Sequence, residues 1–378
     1  MTSPLPTIIT DPRSLQDLGD RLAKAPRVAL DTEAASFHRY VDRLYLLQLS
    51  TDVETVLVDP LAVDDLSPVG RLLASPELEV ILHDADYDLR ILHRDYGFTA
   101  QRIWDTRVAA QLAGETAFGL GALLEQYFGL RLSKQLQRAD WSQRPLTPAM
   151  IAYAAADTAH LPALRDLLAE RLERLHRMHW AEEEFLRLER VRWTPRAVEG
   201  EEFLAIKGAR TLRPPQLAVL RALWGWRDAR ARDLDRAPFR VLGNDVLLVL
   251  AKESPTTLDA LARIRGVPSR IAERHGEQFV EVIRAARALP EDQWPRLERR
   301  PRERPDPQVE ERMVRLKALR AERAPAVGLD PGLVCANAVL AAIARAAPRD
   351  ASGLDAIPDL RRWQREIVGD ERLLRAVG

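Results

Sequence analysis

The stretch RVALDTEAASFHRYVDRLYLLQLSTDVETVLVDP, residues 27–60, decides the fold. Within it, Arg27 to Leu30, Leu44 to Leu49 and Thr55 to Val58 are short runs rich in leucine or β-branched residues, each of strand length. They follow one another closely, which favours antiparallel pairing. A fourth run, Glu79 to Leu82, comes after a helical pattern from Asp64 to Ala74, which is long enough for a crossover to a parallel strand. A mixed sheet follows. Helices are expected at Asp86 to Tyr96, at Thr106 to Ala113, at Leu120 to Phe128 with Gly129 as a stop, and from Pro148 onward. The order of elements predicts an α/β layer fold.

From Leu161 to Arg190 the pattern is helical and strongly charged, with Pro162 expected to kink or restart it. Strand signals then cease. Leu217 to Arg232, Asn244 to Leu250, Thr257 to Ile264 and Ser269 to Arg284 read as helices separated by Gly or Pro, which predicts an all-α module. The stretch PEDQWPRLERRPRERPDP, residues 290–307, has the composition of an extended linker. Beyond it, Asn337, Val339, Leu340 and Ile343 repeat Asn244, Val246, Leu247 and Leu250 at a constant offset, the signal of a duplicated helical unit. The expected division is 1–190, 207–288, a linker at 289–306, and 307–378.

Composition narrows the class of protein. With 378 residues, 46% hydrophobic and 30% charged, the chain is long enough for two or three globular domains. Its 56 basic and 56 acidic residues cancel, so affinity for a polyanion must come from local Arg and Lys patches. Cys335 is the only cysteine, which excludes an intrachain disulfide framework and a thiolate metal cluster and suits a reducing cytoplasm. The N-terminal residues lack a secretory pattern, and no apolar stretch has membrane-spanning length, so neither export nor membrane insertion is expected.

Three acidic motifs carry the candidate chemistry. Asp31 and Glu33 end the first strand, and its two-residue period points both carboxylates to one face with Thr32 pointing away. Two buried acids side by side repel and lose hydration unless a cation or basic partner compensates. An isolated D-x-E is also the ordinary end of a strand entering solvent. His83 and Asp88 sit at the next strand-to-helix transition, where helix capping by Asp84 or Asp86 is the plainer reading. A helix starting near Asp86 brings Asp88 back toward the strand ends. Tyr153 and Asp157 share one face of a helix with Thr147 as N-cap and Pro148 in its first turn. Ala154, Ala155 and Ala156 between them allow close approach to a sheet. Alone, that pair reads as a simple hydrogen bond.

In this order, D-x-E, H-x4-D and Y-x3-D resemble the three motifs of the DEDD exonucleases, in the subgroup with tyrosine. The string LSKQLQRADWSQRPLTPAMIAYAAADTAHL, residues 132–161, resembles ribonuclease D specifically, as do Trp104-Asp105-Thr106 with Ala109 and Ala110, and the segment GLGALLEQYFGL. Two positions depart from the family pattern. Ala34 stands where an aromatic residue often follows D-x-E, with Phe37 as a spatial substitute, and Asp84 follows the histidine where small or amide residues are usual.

The resemblance implies a ribonuclease H-like mixed-sheet exonuclease domain. It also implies that Asp31, Glu33, Asp88 and Asp157 are catalytic and ligate two divalent cations, Mg²⁺ or Mn²⁺, while Tyr153 positions the attacking water. The implied reaction is 3′→5′ release of nucleoside 5′-monophosphates from RNA 3′ ends, with transfer-RNA precursors as substrate. Residues 207–287 resemble an HRDC domain, and residues 307–378 a second, diverged copy, so the C-terminal half is expected to be all-α helical HRDC-type modules. There Trp224 and Trp226 read as core aromatics rather than base-stacking residues, and Arg227, Arg230, Arg232 and Arg240 as phosphate contacts or as a solvated helix face. A DNA exonuclease and a non-catalytic nucleic-acid-binding scaffold are the alternatives; the expected state is a monomer.

Overall fold

The computed structural model describes residues 5–133, 135–195, 200–297 and 306–378. Strands β1 (Thr7–Ile9), β2 (Arg27–Ala34), β3 (Leu44–Ser50), β4 (Thr55–Val58), β5 (Glu79–Leu82) and β6 (Ile103–Asp105) form one sheet in the order β1-β4-β3-β2-β5-β6. The tightly connected β2, β3 and β4 pair antiparallel, while β5, reached by a helical crossover, pairs parallel with β2. The edge strands β1 and β6 are also parallel to their neighbours. With three residues each, they are too short to show a period in sequence.

Both faces of the sheet are covered. Val28 and Leu30 of β2 join Leu47, Leu49, Val56, Val58 and Val80 beneath α1 (Pro12–Leu22), α2 (Ser67–Leu73) and α3 (Asp86–Tyr96). On the opposite face, Ala29 and Ile81 pack under α4 (Thr106–Leu112), α5 (Leu120–Phe128), α7 (Leu161–Arg174) and α8 (Met178–Leu188). Next to them α6 (Pro148–Ala159) covers Leu46 and Leu57. Thr147 caps α6 by accepting from the Met150 amide at 3.2 Å, and Pro162 sits in the first turn of α7, restarting rather than kinking the helix. A second break after Arg174, with His176 at φ 55°, separates α7 from α8.

The rest of the described chain is helical. The first module holds α9 (Pro214–Asp233), α10 (Pro238–Val241), α11 (Asn244–Glu253), α12 (Leu258–Ala262) and α13 (Ser269–Arg287). The second holds α14 (Pro307–Val327), α15 (Pro331–Val334), α16 (Asn337–Ala346), α17 (Ala351–Asp355), α18 (Arg362–Val368) and α19 (Asp370–Val377). The duplication seen in the sequence extends to polar anchors. Arg227 donates to the Leu242 carbonyl at 3.1 Å and to Asn244 Oδ1 at 2.7 Å. At the same offset, Arg320 donates to the Cys335 carbonyl at 2.6 Å and to Asn337 Oδ1 at 3.0 Å. Helices α11 and α16 both end on a left-handed residue, Ser254 or Ala347. Within the stretch expected as a linker, Trp294 Nε1 donates to the Leu289 carbonyl at 3.0 Å and Leu297 packs on the first module's core. Residues 298–305 lie outside the described residues, as does Lys134.

The two modules meet the α/β domain differently. The second shares a continuous core with it: Trp363 stacks on Trp180 with ring centroids 5.6 Å apart, flanked by Arg361 on Glu184 at 2.9 Å. The first touches it through Phe37 against Phe239 and through polar groups, with Tyr40 donating to Asp228 at 3.0 Å and Arg39 on Asp235 at 3.1 Å. Among the described residues no helix is long and apolar enough to cross a membrane.

Candidate active site

Asp31 and Glu33 extend from β2 on the face covered by α6, and Asp157 comes down from α6 onto them. Carboxylate oxygens of these three residues lie within 4.8 Å of one another. The small residues of the Ala154–Ala156 run, with Ala154 fully buried, let the helix come this close, and a 2.7 Å bond between Thr158 Oγ1 and Ser50 Oγ fastens it to β3. Asp88 stands outside that triple. It enters from α3 in the opposite layer, where the Thr32 hydroxyl, on the far face of β2, donates to it. Asp88 nonetheless feels the charge of Asp31, so the fourth acid adjoins the group from the other side of the sheet edge.

The supporting loops are held by buried polar groups. Asp105 is fully buried and caps α4, accepting from the Arg107 and Val108 amides; its other oxygen accepts from the Ala85 amide at 2.7 Å, fixing the turn that launches α3 and Asp88. His83 bonds Thr106 Oγ1 at 2.8 Å, and burial holds its pKa down at about 4, so it is neutral and structural. Asp84, the departure from the family pattern, pairs with Arg107 instead of adding charge to the acids. Phe37 does not replace the missing aromatic in the site, since its ring packs against Phe239 and under Arg138. Arg144 anchors the loop before α6 by pairing with Asp59 at 2.5 Å and donating to the Tyr45 carbonyl at 2.7 Å. That loop lays the buried Trp141 ring 6.0 Å from Tyr153.

The electrostatics suit a bound cation. Burial raises the Asp31 pKa to about 7. Burial and then the charge of Asp31 raise Asp157 to about 8, and burial with the charges of Asp31, Asp157 and Asp88 raises Glu33 to about 10. Asp88 is pushed well up for the same reasons. Among the described residues, no basic side chain is among the charges that shift these four acids. A clustered all-oxygen donor set with no internal counter-charge fits a hard divalent cation and not a soft one. Burial, followed by the charges of Asp157, Glu33 and Asp31, raises the Tyr153 pKa, so its phenol is protonated at neutral pH.

A pH dependence follows. The folded carboxyls keep protons that the unfolded chain releases near pH 4, so between about pH 4 and pH 8 the native state binds more protons and stability falls as pH rises. In EDTA the protein is expected to melt roughly 5–10 °C lower at pH 8 than at pH 5, a loss of a few kcal/mol. Saturating Mn²⁺ should remove most of that difference. Thermal melts at the two pH values, with and without the ion, measure it.

A family model described as 3′-5′ exonuclease matches residues 6–173, and one described as HRDC domain matches twice, at residues 216–283 and 309–377. The chain is 36% identical over 375 residues to ribonuclease D of Gluconacetobacter diazotrophicus, covering 98% of this chain and 92% of that protein. The chain belongs to the ribonuclease D family. Ribonuclease D of Pseudomonas paraeruginosa is 32% identical over 379 residues, covering 100% of this chain and 99% of that one. The crystal structure of Escherichia coli RNase D superposes with a TM-score of 0.72 at 26% identity, covering 98% of both chains. A protein from Bifidobacterium adolescentis gives 0.81 at 28% identity over 99% of this chain and 97% of its own. As a ribonuclease D the chain is a hydrolytic 3′→5′ exoribonuclease, with a mixed-sheet exonuclease domain and helical HRDC domains.

The four arginines weighed as phosphate contacts or a solvated helix face fall into different surroundings. Of the four arginines considered for phosphate contact, Arg227 is buried in the first module as an internal anchor, and Arg232 bonds Asp228 and the Tyr40 hydroxyl. Arg230 and Arg240 are exposed. Trp226 is a core aromatic, edge-on to Phe279 at 4.9 Å, and Trp224 packs partly on the same core.

Proposed function

We propose that this ribonuclease D trims the 3′ ends of structured RNA, transfer-RNA precursors among them, using Asp31, Glu33, Asp88 and Asp157 to hold two divalent cations and Tyr153 to position the attacking water. The observation that carries the reading is the convergence of three carboxylates from β2 and α6 on one point, with Tyr153 one helical turn from Asp157. The E. coli relative is described as an exoribonuclease involved in structured RNA processing, which supports the substrate class.

Bound Mg²⁺ or Mn²⁺ supplies neutralisation of the phosphodiester charge and acidification of water. The chain's own residues do the placing. The four acids, once they give up their protons, would hold the cations at the end of β2 beneath α6. Tyr153 is a neutral phenol and therefore orients the water by hydrogen bonding instead of taking its proton. Attack of the water oxygen on phosphorus breaks the P–O3′ bond. A nucleoside 5′-monophosphate leaves, and the shortened RNA keeps a 3′-hydroxyl.

In this reading the chain divides into an exonuclease domain at 1–190, an HRDC domain at 207–288, a linker at 289–306 and a second HRDC domain at 307–378, and it acts as a monomer in the cytoplasm. The lone buried Cys335 suits that reducing compartment. Digestion of a 5′-labelled stem-loop RNA with a 3′ tail, beside its DNA counterpart, tests the activity. Stepwise mononucleotide release from RNA, dependent on Mg²⁺ or Mn²⁺ and slower on DNA, is expected. Binding without release establishes a scaffold instead, and a preference for DNA establishes the other alternative. Tyr153→Phe should lower kcat on the order of 10²-fold, the scale of lost positioning, while KM for RNA stays nearly unchanged. Steady-state kinetics that show only a raised KM contradict that role.

A further inference from the structure

Beneath α6 lies a polar side chain that no part of the mechanism has used. Gln48 of β3 is 0% exposed, and neither its Nε2 nor its Oε1 has a hydrogen-bond partner. A buried amide left unpaired in both directions costs on the order of a few kcal/mol, so a core position keeps one only under some other demand. An apolar residue of the same size fits this strand better, and the other core positions of β3 on both faces are mostly leucine.

Register shows what that demand is. Gln48 is the Cα partner of Asp31 in the antiparallel β2–β3 ladder, and of Leu57 in the β3–β4 ladder. Directly opposed residues of an antiparallel pair project from the same face with their Cβ atoms about 5 Å apart. The amide therefore stands on the carboxylate's side of the sheet, with the apolar Leu57 on its other flank. Two residues further along the same face of β3, Ser50 is bonded to Thr158 of α6, and two residues back Leu46 packs with Ala154 of α6. Gln48 is thus confined below the helix that delivers Asp157. Trp141 Nε1, in the cluster that contains Leu46 and Leu57, is a buried donor without a partner as well. Three of the six unpartnered buried side-chain atoms among the described residues fall in this one layer.

We propose that Gln48 is a positioning residue for the cation site: its amide, unpaired here, stands beside Asp31 in register so that, with the ion bound, Nε2 would donate to the Asp31 carboxylate and fix the oxygen that faces the ion. The inference rests on the reading of Asp31 as a cation ligand given above. Groups that orient ligating carboxylates typically change metal affinity or activity 10–100-fold when lost, which is roughly the effect expected here.

The test is Gln48→Met, which keeps the volume and removes the amide. Thermal melting in EDTA, Mn²⁺ binding by titration calorimetry and steady-state kinetics on RNA are compared with the unaltered protein and with Asp31→Asn. The expected result is a melting temperature equal to or above that of the unaltered protein, a Kd for Mn²⁺ raised about 10-fold or more, and a lower kcat at unchanged KM for RNA. If Gln48 merely fills the core, Gln48→Met raises the melting temperature and leaves the Mn²⁺ affinity alone, which overturns the proposal while the cation site stands. If Gln48→Met fails to fold, Gln48→Leu serves in the same comparison. An unaltered protein that binds no Mn²⁺, or binds it equally after Asp31→Asn, overturns the cation reading and this proposal with it.

Discussion

Asp31→Ala is expected to lower mononucleotide release by about three orders of magnitude or more, the scale of removing one member of an interdependent catalytic set. The carboxylate is half-buried within the acid group, adds to the charge felt by Glu33, Asp88 and Asp157, and belongs to the triple whose oxygens come within 4.8 Å. Stability should move the opposite way. In the metal-free protein this acid is buried beside like charges with no basic partner, so its removal relieves repulsion and frees the neighbouring acids to settle at lower pKa values. The variant is therefore expected to melt a few degrees higher than the unaltered protein in EDTA at pH 8, and to lose most of the increase that Mn²⁺ produces. Activity assays and melts on the same preparation decide the matter. A variant with near-normal turnover contradicts the assignment, whereas one that fails to fold shows that Asp31 is structural.

Trp363→Ala is expected to destabilise the protein by about 3–5 kcal/mol, the usual range for deleting a buried tryptophan. Trp363 is 2% exposed and lies face to face with Trp180 of α8 across the junction of the two domains. Its indole Nε1 donates to Glu184 at 2.8 Å, and Glu183 accepts from the Arg362 and Trp363 amides, closing the start of α18. Alanine leaves a large void and strips the half-buried Glu184 of one of its donors. The second module should loosen first, with proteolysis near residues 306–312 appearing well below the main unfolding transition. Melting together with limited digestion gives the answer; an unchanged transition and unchanged resistance would mean that the junction is held elsewhere.

Much of this architecture is legible in the sequence because its signals are local and strong. The runs at Leu44, Thr55 and Glu79 begin strands at those residues, the Thr147-Pro148 start of α6 is a capped helix, and Gly129 stops α5 in the left-handed conformation. The acids of D-x-E and Y-x3-D come together as their periods predict, since two residues along a strand and one turn along a helix each fix a face. Other features depend on partners remote in the chain. Nothing around Thr7 or Ile103 announces a strand, because pairing with β4 and β5 supplies the demand. Asp88 reads as one of four equivalent acids, yet it arrives from the opposite layer and contacts Thr32, a relation set by sheet geometry rather than spacing. Gln48 draws no notice within the Leu44 to Leu49 run, and its enclosure comes from helices covering both faces of the sheet, which bury all of β3. The stacking of Trp180 on Trp363 likewise joins residues that no local pattern connects.

The unequal attachment of the two helical copies has a mechanical consequence. One copy is fused to the nuclease core through aromatic stacking and aliphatic packing, while its twin rests among the described residues on contacts such as one phenylalanine pair, the Tyr40 to Asp228 hydrogen bond and the ion pair of Arg39 with Asp235. Exposed ion pairs of that kind hold with roughly 0–1 kcal/mol each and weaken in salt. The seam on the Phe37 to Tyr40 side is therefore the one that added salt loosens first, while the stacked Trp180 and Trp363 keep the second copy in place.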